Sequence, residues 1–176
     1  AIKMTGAVAD AQFNLSKGNN VLNAAGQTLT AVKITSAAGG TGSTAILAGS
    51  IVGRNLLDGL SEIELAGEGD NSIEVTKGVK NAKIDTGAGA STFKAGNVDS
   101  ITLTMGGAGS DKDQTLQING AVNKLQYTGS GGNDALRILG GVNNSNIDLG
   151  DGDNSFTAQN AKGAMQVLSN TNITAS

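Results

Sequence analysis

The chain has no cysteine, no histidine, no proline and no tryptophan. Without cysteine it forms no disulfide and offers no thiolate to a metal. Without histidine it lacks the commonest general base and the commonest metal ligand near neutral pH. Aromatic residues make up only 2% of 176 residues, so the core is expected to be narrow and filled with Ile, Leu, Val and Ala. No run of about 18 apolar residues occurs, which excludes a transmembrane helix. The 12 Lys and Arg are scattered singly against 15 Asp and Glu. That balance argues against a phosphate-backbone partner, and no nucleic acid is expected.

What is abundant is glycine, 27 residues, roughly twice the usual ~7% share. Glycine without proline reads as tight turns between strands that need every amide proton. Nothing resembles an interdomain linker, so one domain spanning residues 1–176 is expected.

A phrase recurs in the second half: GEGDNSIEV at 67–75, GAGASTFKA at 87–95, GSGGNDALRI at 129–138 and GDGDNSFTA at 150–158. Each copy has two glycines one residue apart, a small or carboxamide residue, and an apolar residue that opens an alternating run. A recurring supersecondary unit indicates a solenoid, because one unit cannot bury its apolar face alone and stacked units can.

The runs entering the turns begin at Ile63, Ile84, Ile101, Leu125 and Ile147, spaced 21, 17, 24 and 22 residues apart. The runs leaving them begin at Ile73, Phe93, Leu116, Leu136 and Phe156. Apolar residues at i and i+2 with polar residues between them make half-buried strands. A third apolar point follows at Val79, Val98, Val122 and Val142, with Met165 in that place in the last unit. The expectation is an all-β fold, a single parallel β-helix of about six or seven coils of roughly 17–24 residues with a triangular section.

Residues 61–176 form the regular coils, and residues 1–60 read as irregular N-terminal coils or a cap. A side loop near Arg54-Asn55-Leu56-Leu57-Asp58 absorbs surplus length, and a short helix near Ala7–Ala11 is an alternative for the first unit. The run from Val167 to Ile173 reads as one final strand without a charged cap, an edge open to another chain.

Two kinds of chemistry fit the carboxylates. Calcium takes six to eight oxygen ligands; Asp148, Asp151 and Asp153 lie near one bend, with Asp134 a coil away and Asp70 on the same edge. The competing reading is that Asp and Asn populate turns because they tolerate left-handed backbone and bond local amides. Paired carboxylates such as Asp151 and Asp153 could also approach the ~6.5–9.5 Å separation of an inverting glycosidase. However, a sugar cleft wants aromatic platforms, and this chain has one Tyr and no Trp. Phosphate binding fails because the glycine loops open strands rather than helices.

The turn Gly129-Ser130-Gly131-Gly132-Asn133-Asp134-Ala135-Leu136 resembles the GGxGxDxUx nonapeptide of RTX proteins, with Asn71, Asn154 and Ser91 at the Asp position of other copies. More broadly, the chain resembles the Gly/Ala/Thr/Asn-rich, Cys-free β-solenoid parts of bacterial surface-layer proteins and autotransporter passengers. The coil lengths resemble those of the pectate-lyase and filamentous-haemagglutinin kind, which implies a right-handed helix. The resemblance implies export, an extracellular or cell-surface location and calcium-assisted ordering; a start at Ala1-Ile2-Lys3-Met4 fits a processed chain.

These readings together lead to a structural, self-assembling extracellular protein, a filament or surface-layer subunit whose partner is itself. It is not expected to be an enzyme, and no cofactor is expected to be required, calcium being the one candidate ligand. An adhesin or calcium-binding RTX-like module with a cell-surface or glycan contact is the alternative, and a polysaccharide-acting β-helix enzyme the minor one.

Overall fold

A computed structural model describes residues 1–55, 59–107 and 109–176. Among the described residues the fold is all-β: a β-solenoid of about seven turns built from parallel stacked strands, without a helix. The chain visits three faces in each coil. On the first face Ile2, Leu22, Ile46, Ile73, Phe93, Leu116, Leu136 and Phe156 lie in register. Successive members are 20, 24, 27, 20, 23, 20 and 20 residues apart, so the coils vary in length only at their corners.

The second face stacks Val8, Leu29, Ile51, Val79, Val98, Val122, Val142 and Leu168. Leu168, not Met165, therefore fills the last place. Met165 is 73% exposed because the corner before it is longer than in the other coils and carries it out of the stack. The third face stacks Phe13, Ile34, Ile63, Ile84, Leu103, Tyr127, Ile147 and Ile173. The expected alignment of Ile101 and Leu125 with this column is thus off by two residues. A slip of two keeps the inward side, so Ile101 and Leu125 are buried all the same, two residues earlier on the same strands.

The N-terminal third follows the same plan. Residues Val8–Ala9 are a strand rather than part of a short helix, because they pair with Leu29 and Thr30 of the next coil. The expected side loop includes Leu56, Leu57 and Asp58, which lie outside the described residues. Its base is closed by the Arg54 amide donating to the Gly59 carbonyl at 2.8 Å, and the Arg54 guanidinium pairs with Asp10. The run from Val167 to Ile173 is two strands, Leu168–Ser169 and Asn172–Thr174, on different faces.

In every rung but the one running from Ile51 to Ile63, the break between the second and third faces is a single left-handed residue. Asp10, Ala31, Asn81, Ser100, Lys124, Asn144 and Asn170 all have φ between 48° and 57°. One residue in this conformation turns a strand through a corner without a loop. Non-glycine residues hold it at a local cost, which the ladders on either side offset.

The inward columns form one continuous aliphatic core, with Phe93 and Tyr127 as its fully buried aromatics. Outside, charges alternate along the third face: Lys33 Nζ lies 2.8 Å from Glu62 Oε2 and 3.8 Å from Glu64 Oε2, and Lys83 Nζ lies 3.6 Å from Glu64 Oε1. Cross-strand pairing of opposite charges supports the register of a ladder.

The second glycine of the recurring phrase is required because one backbone rests on the next. A Cβ on Gly89 would lie 2.3 Å from the Gly69 carbonyl oxygen, and one on Gly69 would lie 2.3 Å from that of Gly42. At the first member of the stack, Gly18, a Cβ would meet nothing within 4 Å. Gly89→Ala is therefore expected to cost about 3 kcal/mol, the upper end of overpacking penalties, and to lower the melting temperature by roughly 5–10 °C. Gly18→Ala should leave it unchanged. Thermal denaturation of the two variants checks this.

Candidate functional site: the polar corner and the open coil edges

The corner between the third and first faces gathers the residues that the sequence singles out. Here backbone bonds between coils continue only in part, as from the Ala88 amide to the Gly67 carbonyl at 2.9 Å and from the Gly131 amide to the Ser110 carbonyl at 2.7 Å, and side-chain oxygens take up amides between them. Two adjacent positions do this in opposite directions. At the buried one, the amides of Thr44, Ser91, Gln114 and Asp134 donate to Asn71 Oδ1, Gln114 Oε1, Asp134 Oδ1 and Asn154 Oδ1 of the following coil, at 2.7, 3.0, 3.0 and 2.8 Å.

At the exposed position, one residue earlier, the amides of Ser43, Ala90, Asn133 and Asp153 donate to Asn19 Oδ1, Asp70 Oδ1, Asp113 Oδ1 and Asn133 Oδ1 of the preceding coil, at 2.9, 2.9, 2.8 and 2.8 Å. The two rails staple neighbouring coils together from both sides. Buried amides must find such partners.

The five carboxylates considered for calcium therefore have different surroundings. Asp134 is 1% exposed, with its oxygens accepting from the Gln114 and Ser130 amides and from Ser130 Oγ at 3.0, 3.0 and 3.1 Å. Asp70 faces solvent and accepts the Ala90 amide. Asp148 stands on the third face, accepting from the Gly150 amide and Thr174 Oγ1, both at 3.2 Å. Asp151 and Asp153 are exposed in the last Gly-rich turn. Among the described residues, no group of three or more Asp, Glu, His or Cys is placed to hold a metal ion together.

Asp134 differs from its stack mates for a local reason. Asn154 uses its amide nitrogen to donate to the Gly150 and Asp151 carbonyls of its own turn, and Gln114 donates likewise to Lys112. The turn at 129–133 instead presents the Ser130 amide and hydroxyl, so both side-chain oxygens must accept. Burial pushes the Asp134 carboxyl above its ordinary range, only partly offset by these bonds and by the Tyr127 hydroxyl 3.5 Å away. Burial and the neighbouring Asp134 in turn push the Tyr127 phenol far up, so it stays protonated.

Sequence reasoning located Asn71, Ser91, Asp134 and Asn154 but missed Gln114 as their equivalent at the buried position, and Asn19 and Asp113 at the exposed one. The signal was a pair of polar residues directly before each outgoing strand: Asn19-Asn20, Ser43-Thr44, Asp70-Asn71, Asp113-Gln114.

A surface depression runs along this corner, a groove of about 480 Å³ whose lining includes Glu64, Leu65, Glu68 and Asp85. It is open to solvent and acidic. The other unsatisfied features are the solenoid's ends. The strands of the first coil pair only with the second, and those of the last only with the one before it. The exposed large hydrophobics among the described residues are Ile2, Val21, Met165, Val167 and Leu168, all in the first two coils or the last.

This geometry defines the class of the chain as a β-solenoid with a stapled polar corner. No protein-family model, no curated protein and no solved structure matches it.

Two substitutions test the corner. Thr86 is fully buried, and its Oγ1 has no hydrogen-bond partner. Thr86→Val, which replaces that hydroxyl with a methyl group, is expected to stabilise by about 1–2 kcal/mol in chemical denaturation, the cost of an unpaired buried hydroxyl. For Asp134, a raised folded-state pKa means that the folded chain binds more protons than the unfolded one above the ordinary value of 3.8. Its contribution to stability is then largest in acid and falls as pH rises. The stability difference between the native chain and Asp134→Asn should shrink, or grow more negative, between about pH 4 and pH 7. Parallel denaturation curves across that range check the sign.

Proposed function

We propose that this protein is a structural, self-assembling subunit that builds a filament or layer from copies of itself, in an extracellular or cell-surface setting. The observation that carries this reading is the regular stack itself, about seven turns of parallel strands in continuous register, which presents the same outward positions coil after coil. Large apolar side chains stand exposed on it at Ile2, Val21, Met165, Val167 and Leu168, and exposed apolar surface marks contact surfaces.

The role asks for stability and repetition rather than a reacting group, which suits a chain with neither Cys nor His. The location rests on the composition and on the resemblance to bacterial surface solenoids.

Light scattering coupled to size-exclusion chromatography, with negative-stain microscopy, tests the proposal from dilute to concentrated solution with and without calcium. Concentration-dependent oligomers or filaments are expected. A chain that stays monomeric at every concentration in both conditions overturns the reading, and a monomer whose melting temperature rises with calcium would favour the calcium-binding module instead.

A further inference from the structure

We propose that two copies pair side by side through their first faces, with the solenoid axes antiparallel, so that Glu74 of each copy meets Arg137 of the other. This rests on the self-assembly reading and names one surface by which copies associate, on coils inside the stack.

The first face carries two outward columns. One runs Ser72, Thr92, Thr115 and Ala135, the other Glu74, Lys94, Gln117 and Arg137, each in register on four successive rungs. Glu74, Lys94 and Arg137 are exposed. None of the three enters an ion pair among the described residues. The other faces differ. On the third, Lys33, Glu62, Glu64 and Lys83 neutralise one another, and on the second Lys80 Nζ lies 3.5 Å from Asp99 Oδ2. The first face alone keeps charges of both signs along one column without using them within the chain.

Their order is self-complementary under a two-fold axis that lies along the strands. Rotation about such an axis turns a second copy face to face with the first, keeps each column over its own counterpart and reverses the order of the coils. With the axis midway between the rungs of Lys94 and Gln117, Glu74 faces Arg137 of the second copy, Lys94 faces Gln117, and Thr92 faces Thr115. Each contact occurs twice, as in any isologous interface. One rung further out Leu47 faces Thr157, without a charge. A two-fold axis parallel to the solenoid instead lays the charged column over the small one, sets Arg137 against Ala135 and leaves every charge unpaired.

The small column lets the faces approach. Packed sheets lie ~10 Å apart, a gap that a glutamate and an arginine extended toward each other bridge. Beside Arg137 a depression of about 280 Å³, whose lining includes Gln117, Ala135 and Thr157, leaves room for the incoming Glu74. Six rungs of four residues cover roughly 400 Å² per copy, about half of a standard interface of ~800 Å² per partner. One such contact is weak, and its charges fix orientation and register more than they supply affinity.

Charge reversal reads the pairing directly. Glu74→Arg sets two arginines against each other at both contacts, and Arg137→Glu sets two glutamates. Each variant alone is expected to self-associate roughly tenfold more weakly than the native chain, or weaker still, in sedimentation equilibrium at high protein concentration, because like charges are juxtaposed. Mixed in equal amounts, the two variants bring opposite charges together at both contacts, and association should recover, as it should in a chain bearing both changes. Lys124→Glu alters net charge as Arg137→Glu does but sits at the corner between the second and third faces, and should leave association as it is. All these side chains are exposed, so the variants should keep the native melting temperature.

Association untouched by either reversal would overturn the proposed face and leave self-assembly to other surfaces. Loss in both variants with no recovery in the mixture would overturn the antiparallel pairing, and an equal loss with Lys124→Glu would reduce the effect to net charge. A native chain that never associates would sink the self-assembly reading as well.

Discussion

Everything in this molecule depends on stacking one coil directly on another at the spacing of neighbouring strands, ~4.8 Å. At that distance the corners bring backbone against backbone, and a Cβ at Gly69 or Gly89 has no room. The same requirement explains why proline is absent and why inward positions are Ile, Leu, Val and Ala: each coil is a thin slab whose side chains must fit above and below copies of themselves. The few aromatics confirm the limit. Phe93 and Tyr127 are accommodated inside, and Phe13 and Phe156 sit half-buried at the ends, where the slab has a neighbour on one side only.

Stacking also determines what the polar residues do. Where the chain turns from the third face to the first, the backbone ladder is interrupted, and Asn, Asp and Gln oxygens take up the amides it leaves between coils. The two rails run in opposite directions because successive amides along a strand point to opposite neighbours. Asp134 fits this scheme. It is a carboxylate where its stack mates carry amides, since its turn supplies donors on both sides.

The periodicity was legible in the residues alone. Glycines one residue apart before an alternating run define a turn and a half-buried strand, and Ile73, Phe93, Leu136 and Phe156 could be aligned because each follows the first glycine of such a turn by six or seven residues. Where no turn anchored the count, as at Ile101 and Leu125, the inward side was readable but the register was not, since positions two apart look alike in an alternating strand. The left-handed corner at Ser100 or Lys124 carried no signal, because those residue types adopt that conformation only when two ladders impose it. Local sequence, then, determined which residues turn and which face inward, through steric rules that act within a few residues. Which strand lies on which, where Asp134 points and what Leu168 rather than Met165 covers were decided by contacts between coils 20 or more residues apart, which no local pattern encodes.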